Sequence, residues 1–249
     1  MHKIILQCHA GGLGDALLTI GTLPELWVRE QNAEVYVVDG FRNSGIKDLV
    51  TSNPFIKGLL PPGTPCTHIM NDDKKLRRLC LKYNNTVKGM EAFFGFEPKH
   101  EYLKTYFPLT YKPEYANKVL FDYVAITAPF DNDSLGKYIQ HLVDCELINI
   151  QDLTIVDTKV IDTSVNVFPD LPRITPTNIF DYANMIFSCK AYVTVSSGAC
   201  ALASAIKGPN PYPKVYSLIH QAIYNKKIWK WNNIEYFVTG KKYWDFDNF

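Results

Sequence analysis

The 249-residue sequence lacks the features that would assign it to a membrane or secreted class. No apolar run approaches the roughly 18 residues of a membrane-spanning helix. The N-terminus "MHKIILQCHAGG" has neither the long apolar stretch nor the cleavage site of a secretory signal. We therefore expect a cytoplasmic protein. Attachment to a membrane surface, or residence of a viral protein in the host cytoplasm, are the alternatives.

Paired cysteines, metal-ligand clusters and an excess of one charge are also missing. No CxxC pair occurs among the six cysteines, which are Cys8, Cys66, Cys80, Cys145, Cys189 and Cys200. Scattered cysteines in a chain of this length are typical of free thiols in a reducing compartment. No cluster of His, Cys and acidic residues has metal-site spacing, so we expect no metal requirement. A net charge of +1 disfavours an extended nucleic-acid footprint.

What the sequence does contain is an alternation of strand and helix patterns. This alternation predicts an α/β fold with parallel sheets and crossover helices. The predicted strands are 3–7, 34–40, 55–60, 119–127, 191–195, 214–219 and 234–240. The predicted helices are 15–31 with a break at Pro24, 44–50, the start of 72–95, 134–145, 177–190 and 200–208. The Pro- and Tyr-rich stretch 106–118 reads as a linker after which the pattern restarts, and 146–175 is ambiguous. We therefore divide the chain into two similar domains, 1–115 and 116–249.

A glycine-rich turn followed at once by an acid, "GGLGD", is the most informative short motif. Gly12 and Gly14 match the first two glycines of the dinucleotide fingerprint, but Leu17 occupies the third position, although Asp39 stands where a ribose-binding acid would be. Asp15 would repel a pyrophosphate at the start of the following helix. A purely structural interpretation is a tight turn in which Asp15 caps the helix.

Two longer stretches resemble one enzyme family. "GGLGDALLTIGTLPELWVREQNAEVYVV" (11–38) resembles the N-terminal signature of the ADP-heptose:lipopolysaccharide heptosyltransferases, glycosyltransferase family 9. "TSNPFIKGLL" (51–60) resembles the family's Asn-Pro segment, and "FDYANMIFSCKAYVTVSSGACALASAIKG" (180–208) is similar to its late helix–strand–turn–helix unit. The resemblance implies the GT-B architecture, in which two Rossmann-like domains with parallel sheets face each other across a cleft. Residues 1–115 would bind the acceptor, and residues 116–249 would bind the nucleotide-sugar donor.

The resemblance also implies roles for individual residues. Asp15 would act as the base that deprotonates an acceptor hydroxyl in an inverting sugar transfer. The acceptor would contact His9, Gly11, Gly12 and Gly14. The donor would contact Lys137, Ser196, Ser197, Gly198, Ala199 and Cys200, where a helix N-terminus favours the diphosphate. Two positions depart from the family pattern, because Ser196 stands for its Asp and Ala201 for its His.

The implied partners are a nucleotide-diphosphate sugar and a glycan or lipid-linked glycan, of surface-polysaccharide or lipopolysaccharide type. No other cofactor is expected. Two alternatives stay open: a phage or viral enzyme that glycosylates hydroxymethylated DNA bases, and an inactive relative that only binds nucleotide or glycan. The run "KKLRRLCLK" (74–82) would either meet an anionic acceptor or form a solvated helix face.

Overall fold

The computed structural model describes residues 2–8, 12–41, 44–69, 73–124, 130–158, 168–226 and 230–240. The strands are β1 (Lys3–Gln7), β2 (Glu34–Val38), β3 (Ile56–Leu60), β4 (His68–Ile69), β5 (Val119–Asp122), β6 (Leu153–Val156), β7 (Arg173–Ile174), β8 (Ala191–Val195), β9 (Lys214–His220) and β10 (Glu235–Thr239). The α-helices are α1 (Leu13–Ile20), α2 (Leu23–Gln31), α3 (Ser44–Thr51), α4 (Asp73–Tyr83), α5 (Thr86–Phe93), α6 (Asn132–Asp144), α7 (Ile179–Ser188), α8 (Gly198–Lys207) and α9 (Gln221–Lys226). Short 3-10 turns occupy Pro113–Tyr115 and Ile150–Asp152.

The first sheet is parallel and has the strand order β3-β2-β1-β4. Ile4 of β1 pairs with Val35 of β2, and Gln7 of β1 pairs with Ile69 of β4. The chain therefore runs outward from β1 in one direction to β3 and then returns to the other side of β1 for β4. This reversal places a topological switch point between β1 and β4, and ligands of open α/β sheets bind outside the carboxyl ends of strands at such points.

The second sheet is also parallel and has the strand order β10-β9-β8-β5-β6-β7. Leu120 of β5 pairs with Tyr192 of β8, and Val195 of β8 pairs with Leu218 of β9. Counted along the chain from β5, this is the strand order of a dinucleotide-binding sheet, with its switch point between β5 and β8. The β8–α8 turn follows the carboxyl end of β8, directly at that point.

The packing joins the two halves. One cluster of buried apolar side chains contains residues of α1 and α3 together with residues of α7 and α8, among them Leu17, Leu49, Ile186 and Leu202. A second cluster lies between the second sheet and α6 and includes Leu142. The first half is thus covered on one side by helices that belong to the second half.

The structure confirms the predicted α/β fold with two parallel sheets and corrects several element predictions. The predicted helix 15–31 is two helices, because the chain turns at Gly21 and Thr22, and Pro24 lies in the first turn of α2, where a proline is tolerated. The ambiguous stretch 146–175 contains β6 and β7. Neither β4 nor α9 was predicted.

The end of the predicted strand 119–127 lies outside the described residues. All six cysteines are free thiols, as expected. Among the described residues, no helix is both long and apolar enough to cross a membrane.

Candidate functional site

The β1–α1 turn holds the Asp15 carboxylate against the start of a helix. Gly12 is extended and precedes the first residue of α1, and its carbonyl accepts a hydrogen bond from the Ala16 N–H at 2.9 Å. A Cβ atom at Gly12 would lie 3.3 Å from Asp15 Oδ2, so the carboxylate folds back over the glycine. Negative charge is favourable at this end of a helix. His9 and Gly11, the other residues predicted in this turn, are outside the described residues.

Cys8, at the end of β1, lies beside the same carboxylate. Burial raises the pKa of its thiol to about 12, a hydrogen bond with Thr19 acts in the opposite direction, and the negative charge of Asp15 raises it further. The Thr19 hydroxyl also donates to the Asp15 backbone carbonyl at 2.8 Å. Cys8 is therefore a neutral, buried thiol and not a nucleophile.

The β8–α8 turn presents a second helix N-terminus. The Ser196 N–H donates to the Leu218 carbonyl at 2.8 Å, which extends the β8–β9 pairing into the turn. Ser197 is extended and precedes α8, and its Oγ atom is buried without a hydrogen-bond partner among the described residues. The first N–H groups of α8 have no acceptor within the helix. This turn can therefore donate several hydrogen bonds to an anion.

The two turns touch each other. A Cβ atom at Gly198 would lie 2.8 Å from Leu13 Cβ and 3.1 Å from the Gly14 backbone nitrogen. Only a glycine allows the starts of α1 and α8 to approach so closely. Both helices point their positive dipole ends at this contact, and Asp15 supplies a negative charge there. The structure thus brings together the two motifs that sequence analysis singled out, although they are more than half the chain apart.

His220 lies at the same edge of the second sheet, and sequence analysis missed it. Val195, the last residue of β8, pairs with Leu218, and His220 ends β9 two residues later. The His220 side chain is buried, and its ring stacks on Phe130 with 4.1 Å between ring centres and an interplanar angle of 6°. A histidine at the end of an apolar strand carries no motif, and only strand register reveals its neighbours.

A buried acid, Asp122, ends β5 on the other side of the switch point. It accepts hydrogen bonds from the Tyr182 hydroxyl and, at 3.0 Å, from the Val124 N–H, and the Tyr192 hydroxyl contacts that of Tyr182. Burial raises the Asp122 pKa to about 6 although these hydrogen bonds oppose the shift. Asp122 was not among the predicted site residues. The signal was an acid inside the apolar run "VLFDYV".

The remaining predicted site residues have other surroundings. Cys200 is buried, its thiol contacts Ser217 Oγ at 3.5 Å, and burial raises its pKa to about 11. Ala199 is buried beside it. Lys137 is exposed on α6 and pairs with Asp133 at 2.8 Å, and no contact joins it to the β8–α8 turn within the described ranges. Asp39, the candidate ribose-binding acid, pairs with Lys47 at 2.8 Å.

No group of three or more His, Cys, Asp or Glu side chains within the described part of the chain could hold a metal ion. The expected metal independence stays a prediction.

Comparison with known proteins gives relatives by fold only. No protein-family profile and no curated protein matches the sequence. The iron-containing dodecameric glycosyltransferase TibC of enterotoxigenic E. coli matches with a TM-score of 0.61 and 15% identity, over 86% of this chain and 57% of TibC. E. coli heptosyltransferase WaaC with ADP matches with a TM-score of 0.57 and 11% identity, over 95% of this chain and 93% of WaaC. A family 9 glycosyltransferase of Veillonella parvula matches with a TM-score of 0.54 and 10% identity, over 96% and 85%. This chain spans little more than half the length of TibC, and the fold it shares with these proteins is the one that the sequence resemblance implied.

Proposed function

We propose that this protein is a glycosyltransferase that moves a sugar, with inversion, from a nucleotide-diphosphate donor to a hydroxyl group of a glycan or lipid-linked glycan. The observation that carries the proposal is the contact between Gly14 and Gly198. It joins the switch-point edges of two parallel sheets and sets a carboxylate beside a helix N-terminus. The fold shared with glycosyltransferases supports the same reaction class.

The chemistry divides between the two turns. Asp15 accepts the proton of the acceptor hydroxyl, whose oxygen then attacks the anomeric carbon of the donor sugar from the face opposite the diphosphate. Gly12 carries no side chain that would crowd the Asp15 carboxylate, because a Cβ atom there would lie 3.3 Å from Asp15 Oδ2. The bond from the anomeric carbon to the diphosphate oxygen breaks, and the nucleoside diphosphate leaves with that electron pair.

The leaving diphosphate requires compensation of its negative charge. The N–H groups at the start of α8 and the Ser196 and Ser197 hydroxyls supply hydrogen-bond donors. Ser197 Oγ, buried without a partner among the described residues, is suited to this role. Ala201 stands where family 9 has a histidine, and His220 brings an imidazole to the same edge from the neighbouring strand.

The test combines thermal shift with donor hydrolysis, in which water takes the place of the acceptor hydroxyl. Wild type, Asp15→Asn and the control Asp144→Asn are screened against ADP-, UDP-, GDP- and CMP-sugars. Asp144 is exposed at the far end of α6 and leaves the turns untouched. We expect one donor class to raise the melting temperature of all three proteins, because a ligand that binds only the folded state stabilises it. Turnover should fall about a hundredfold or more in Asp15→Asn alone.

Each other outcome has a definite meaning. Full turnover by Asp15→Asn would remove Asp15 as the base. A donor that binds wild type but is neither hydrolysed nor transferred to any glycan acceptor supplied would identify a non-catalytic binding protein.

The proposed reaction needs no metal, because the leaving group is compensated by N–H and hydroxyl donors. TibC is described as iron-containing, so the point requires its own test. Turnover should be unchanged after dialysis against EDTA. A loss that added Mg²⁺ or Fe²⁺ restores would show that a metal takes part.

A further inference from the structure

Helix α4 exposes a stripe that is basic along most of its length. At 100° per residue, its exposed side chains fall within about 120° of the helix circumference. They are Lys74, Lys75, Arg78, Leu81 and Lys82. Leu76 and Cys80 occupy the opposite, buried face. We call these five exposed residues the α4 stripe.

Three cations of the α4 stripe lack the ion pairs that engage lysines elsewhere in the described structure. Lys74, Arg78 and Lys82 form no ion pair with a carboxylate of any described residue. By contrast, ion pairs engage many other lysines, namely Lys47, Lys88, Lys99, Lys104, Lys112, Lys137 and Lys190. The whole chain has a net charge of only +1, so the α4 stripe is a local concentration of positive charge.

An exposed leucine lies within the stripe. The Leu81 residue is 48% exposed, one of the largest exposures of an apolar side chain in the described structure. It follows Arg78 by three residues and Lys74 by seven, so all three share one side of the helix. An apolar side chain among lysines adds apolar burial to the electrostatic attraction of an anionic bilayer surface.

Helix α4, which carries the α4 stripe, packs closely against α5 and begins near the candidate site. Helices α4 and α5 pack so closely that a Cβ atom at Gly89 would lie 2.9 Å from Cys80 Cα. Asn85 caps α5 by accepting a hydrogen bond from the Lys88 N–H at 2.9 Å. Strand β4, which leads into α4, ends at Ile69 opposite Gln7 of β1. Helix α4 therefore begins near the sheet edge that also carries the β1–α1 turn.

We propose that the α4 stripe docks the protein on an anionic lipid bilayer. Lysine and arginine side chains are attracted to the negative surface of such a bilayer, and Leu81 would enter its headgroup region. A nucleic acid would be attracted by the same cations but would gain nothing from the leucine. The proposal concerns a surface other than the transfer site and does not depend on the transfer reaction.

The test measures binding to phosphatidylcholine vesicles with and without phosphatidylglycerol, at two salt concentrations. Lys74→Glu/Lys82→Glu should weaken binding to the anionic vesicles about tenfold or more, because two attractive charges become repulsive. The matched control is Lys57→Glu/Lys214→Glu, which makes the same change of net charge at exposed positions on β3 and β9. Leu81→Gln should weaken binding several-fold, whereas Leu147→Gln, at a leucine 37% exposed beyond α6, should not.

Thermal melts of all variants exclude loss of folding as a cause. The proposal is overturned if wild type does not bind anionic vesicles, or if the control pair loses as much binding as the α4 pair. Duplex DNA is assayed in parallel. Binding to DNA that Lys74→Glu/Lys82→Glu abolishes and Leu81→Gln leaves unchanged, with no vesicle binding, would instead identify a nucleic acid as the partner.

Discussion

At the scale of single residues, the contact between the halves depends on Gly198. Gly198→Ala would place a methyl group 2.8 Å from Leu13 Cβ, so the starts of α1 and α8 must move apart. We expect the free energy of unfolding to fall by about 1–3 kcal/mol, as for other overpacked sites. Donor binding should weaken as well, because the two turns separate. Urea denaturation and donor-induced thermal shift measure the two effects.

Gly136→Ala is the matched control. Gly136 lies inside α6 with nothing within 4 Å of an added Cβ atom. Alanine should leave stability unchanged or raise it by about 0.5–1 kcal/mol, because glycine is the weaker helix former. Equal stability of the two variants would mean that the helices do not touch in solution as they do in the structure.

Asp122 predicts a pH dependence of stability. Burial raises its pKa in the folded protein from 3.8 to about 6. As pH rises through this interval, the unfolded chain loses the Asp122 proton first while the folded protein keeps it. The Asp122 contribution to the free energy of unfolding is therefore greatest below about pH 4. It decreases between about pH 4 and 6 and stays constant above about pH 6. The total change is about 2–3 kcal/mol for a shift of this size.

Asp122→Asn removes this titration while keeping a side chain that can accept the Val124 N–H. Urea denaturation at several pH values should show wild type losing stability relative to Asp122→Asn as pH rises from 4 to 6. Asp144→Asn, at an exposed position, should follow wild type. A constant difference between wild type and Asp122→Asn would show that Asp122 does not titrate in this range.

The residues found from sequence and those missed differ in a physical way. Asp15 and Ser197 belong to short turns whose composition marks them. His220 and Asp122 each end a strand of the second sheet, and only strand order and register place them at the sheet edge that carries the β8–α8 turn. A single sequence does not contain that register, because it depends on the order in which strands assemble into a sheet.

At the scale of elements, the α8–β9 connection depends on one buried lysine. Lys207 Nζ donates to the backbone carbonyls of Asn210, Pro211 and Pro213 at 2.8, 2.9 and 3.0 Å. Lys207→Met keeps the aliphatic chain but leaves three carbonyls without their donor. We expect the free energy of unfolding to fall by about 2–3 kcal/mol, as for lost hydrogen bonds to a charged group. Chemical denaturation measures the loss.

Lys214→Met is the control for this variant. Lys214 is exposed at the start of β9, and its replacement should change stability by no more than about 0.5 kcal/mol. Similar losses in the two variants would show that the three hydrogen bonds of Lys207 contribute little.

Strands and helices were predictable from the sequence where the periodic pattern of apolar residues begins and ends at recognisable positions. Strand β8 and helix α7 fall inside their predicted ranges for this reason. Strand β7 has only two residues and therefore no period to detect. The stretch 72–95, which we predicted to be helical at its start, contains α4 and then a second helix after a break at Asn84, which has a positive φ of 48°, and Asn85, which caps α5. The pair of asparagines was the available signal for this break.

At the scale of the whole molecule, the division into two sheets agrees with the point where the strand and helix pattern of the sequence begins again. The hydrophobic core that joins the two halves was not predictable from that pattern. The strands of the first sheet end at Ile69, and those of the second begin at Val119. Sequence periodicity shows that α7 and α8 each bury a face. It does not show that these faces pack against α1 and α3 of the other half. Tertiary contacts between distant segments leave no local pattern.

The shared core predicts that the two halves unfold together. Leu142→Ala tests this, because Leu142 is fully buried in the cluster beneath α6, apart from the core that joins the halves. The substitution should destabilise the fold by about 2–5 kcal/mol. If the molecule is one cooperative unit, hydrogen exchange should show equal losses of protection in β1 and in β8. Independent domains would lose protection in β8 alone.

Leu202→Ala is the companion variant, because Leu202 lies in the core that joins the halves. This substitution should lower hydrogen-exchange protection in both sheets whether or not the halves are independent. Its effect therefore gives the loss of protection with which that of Leu142→Ala is compared. Calorimetry provides an independent test, since a single unit unfolds with equal calorimetric and van't Hoff enthalpies.

The GT-B resemblance alone suggests two domains free to move about a cleft. Packing of α7 and α8 against α1 and α3 instead requires that any opening expose apolar surface, so the two turns that carry the proposed chemistry should stay together in the free protein.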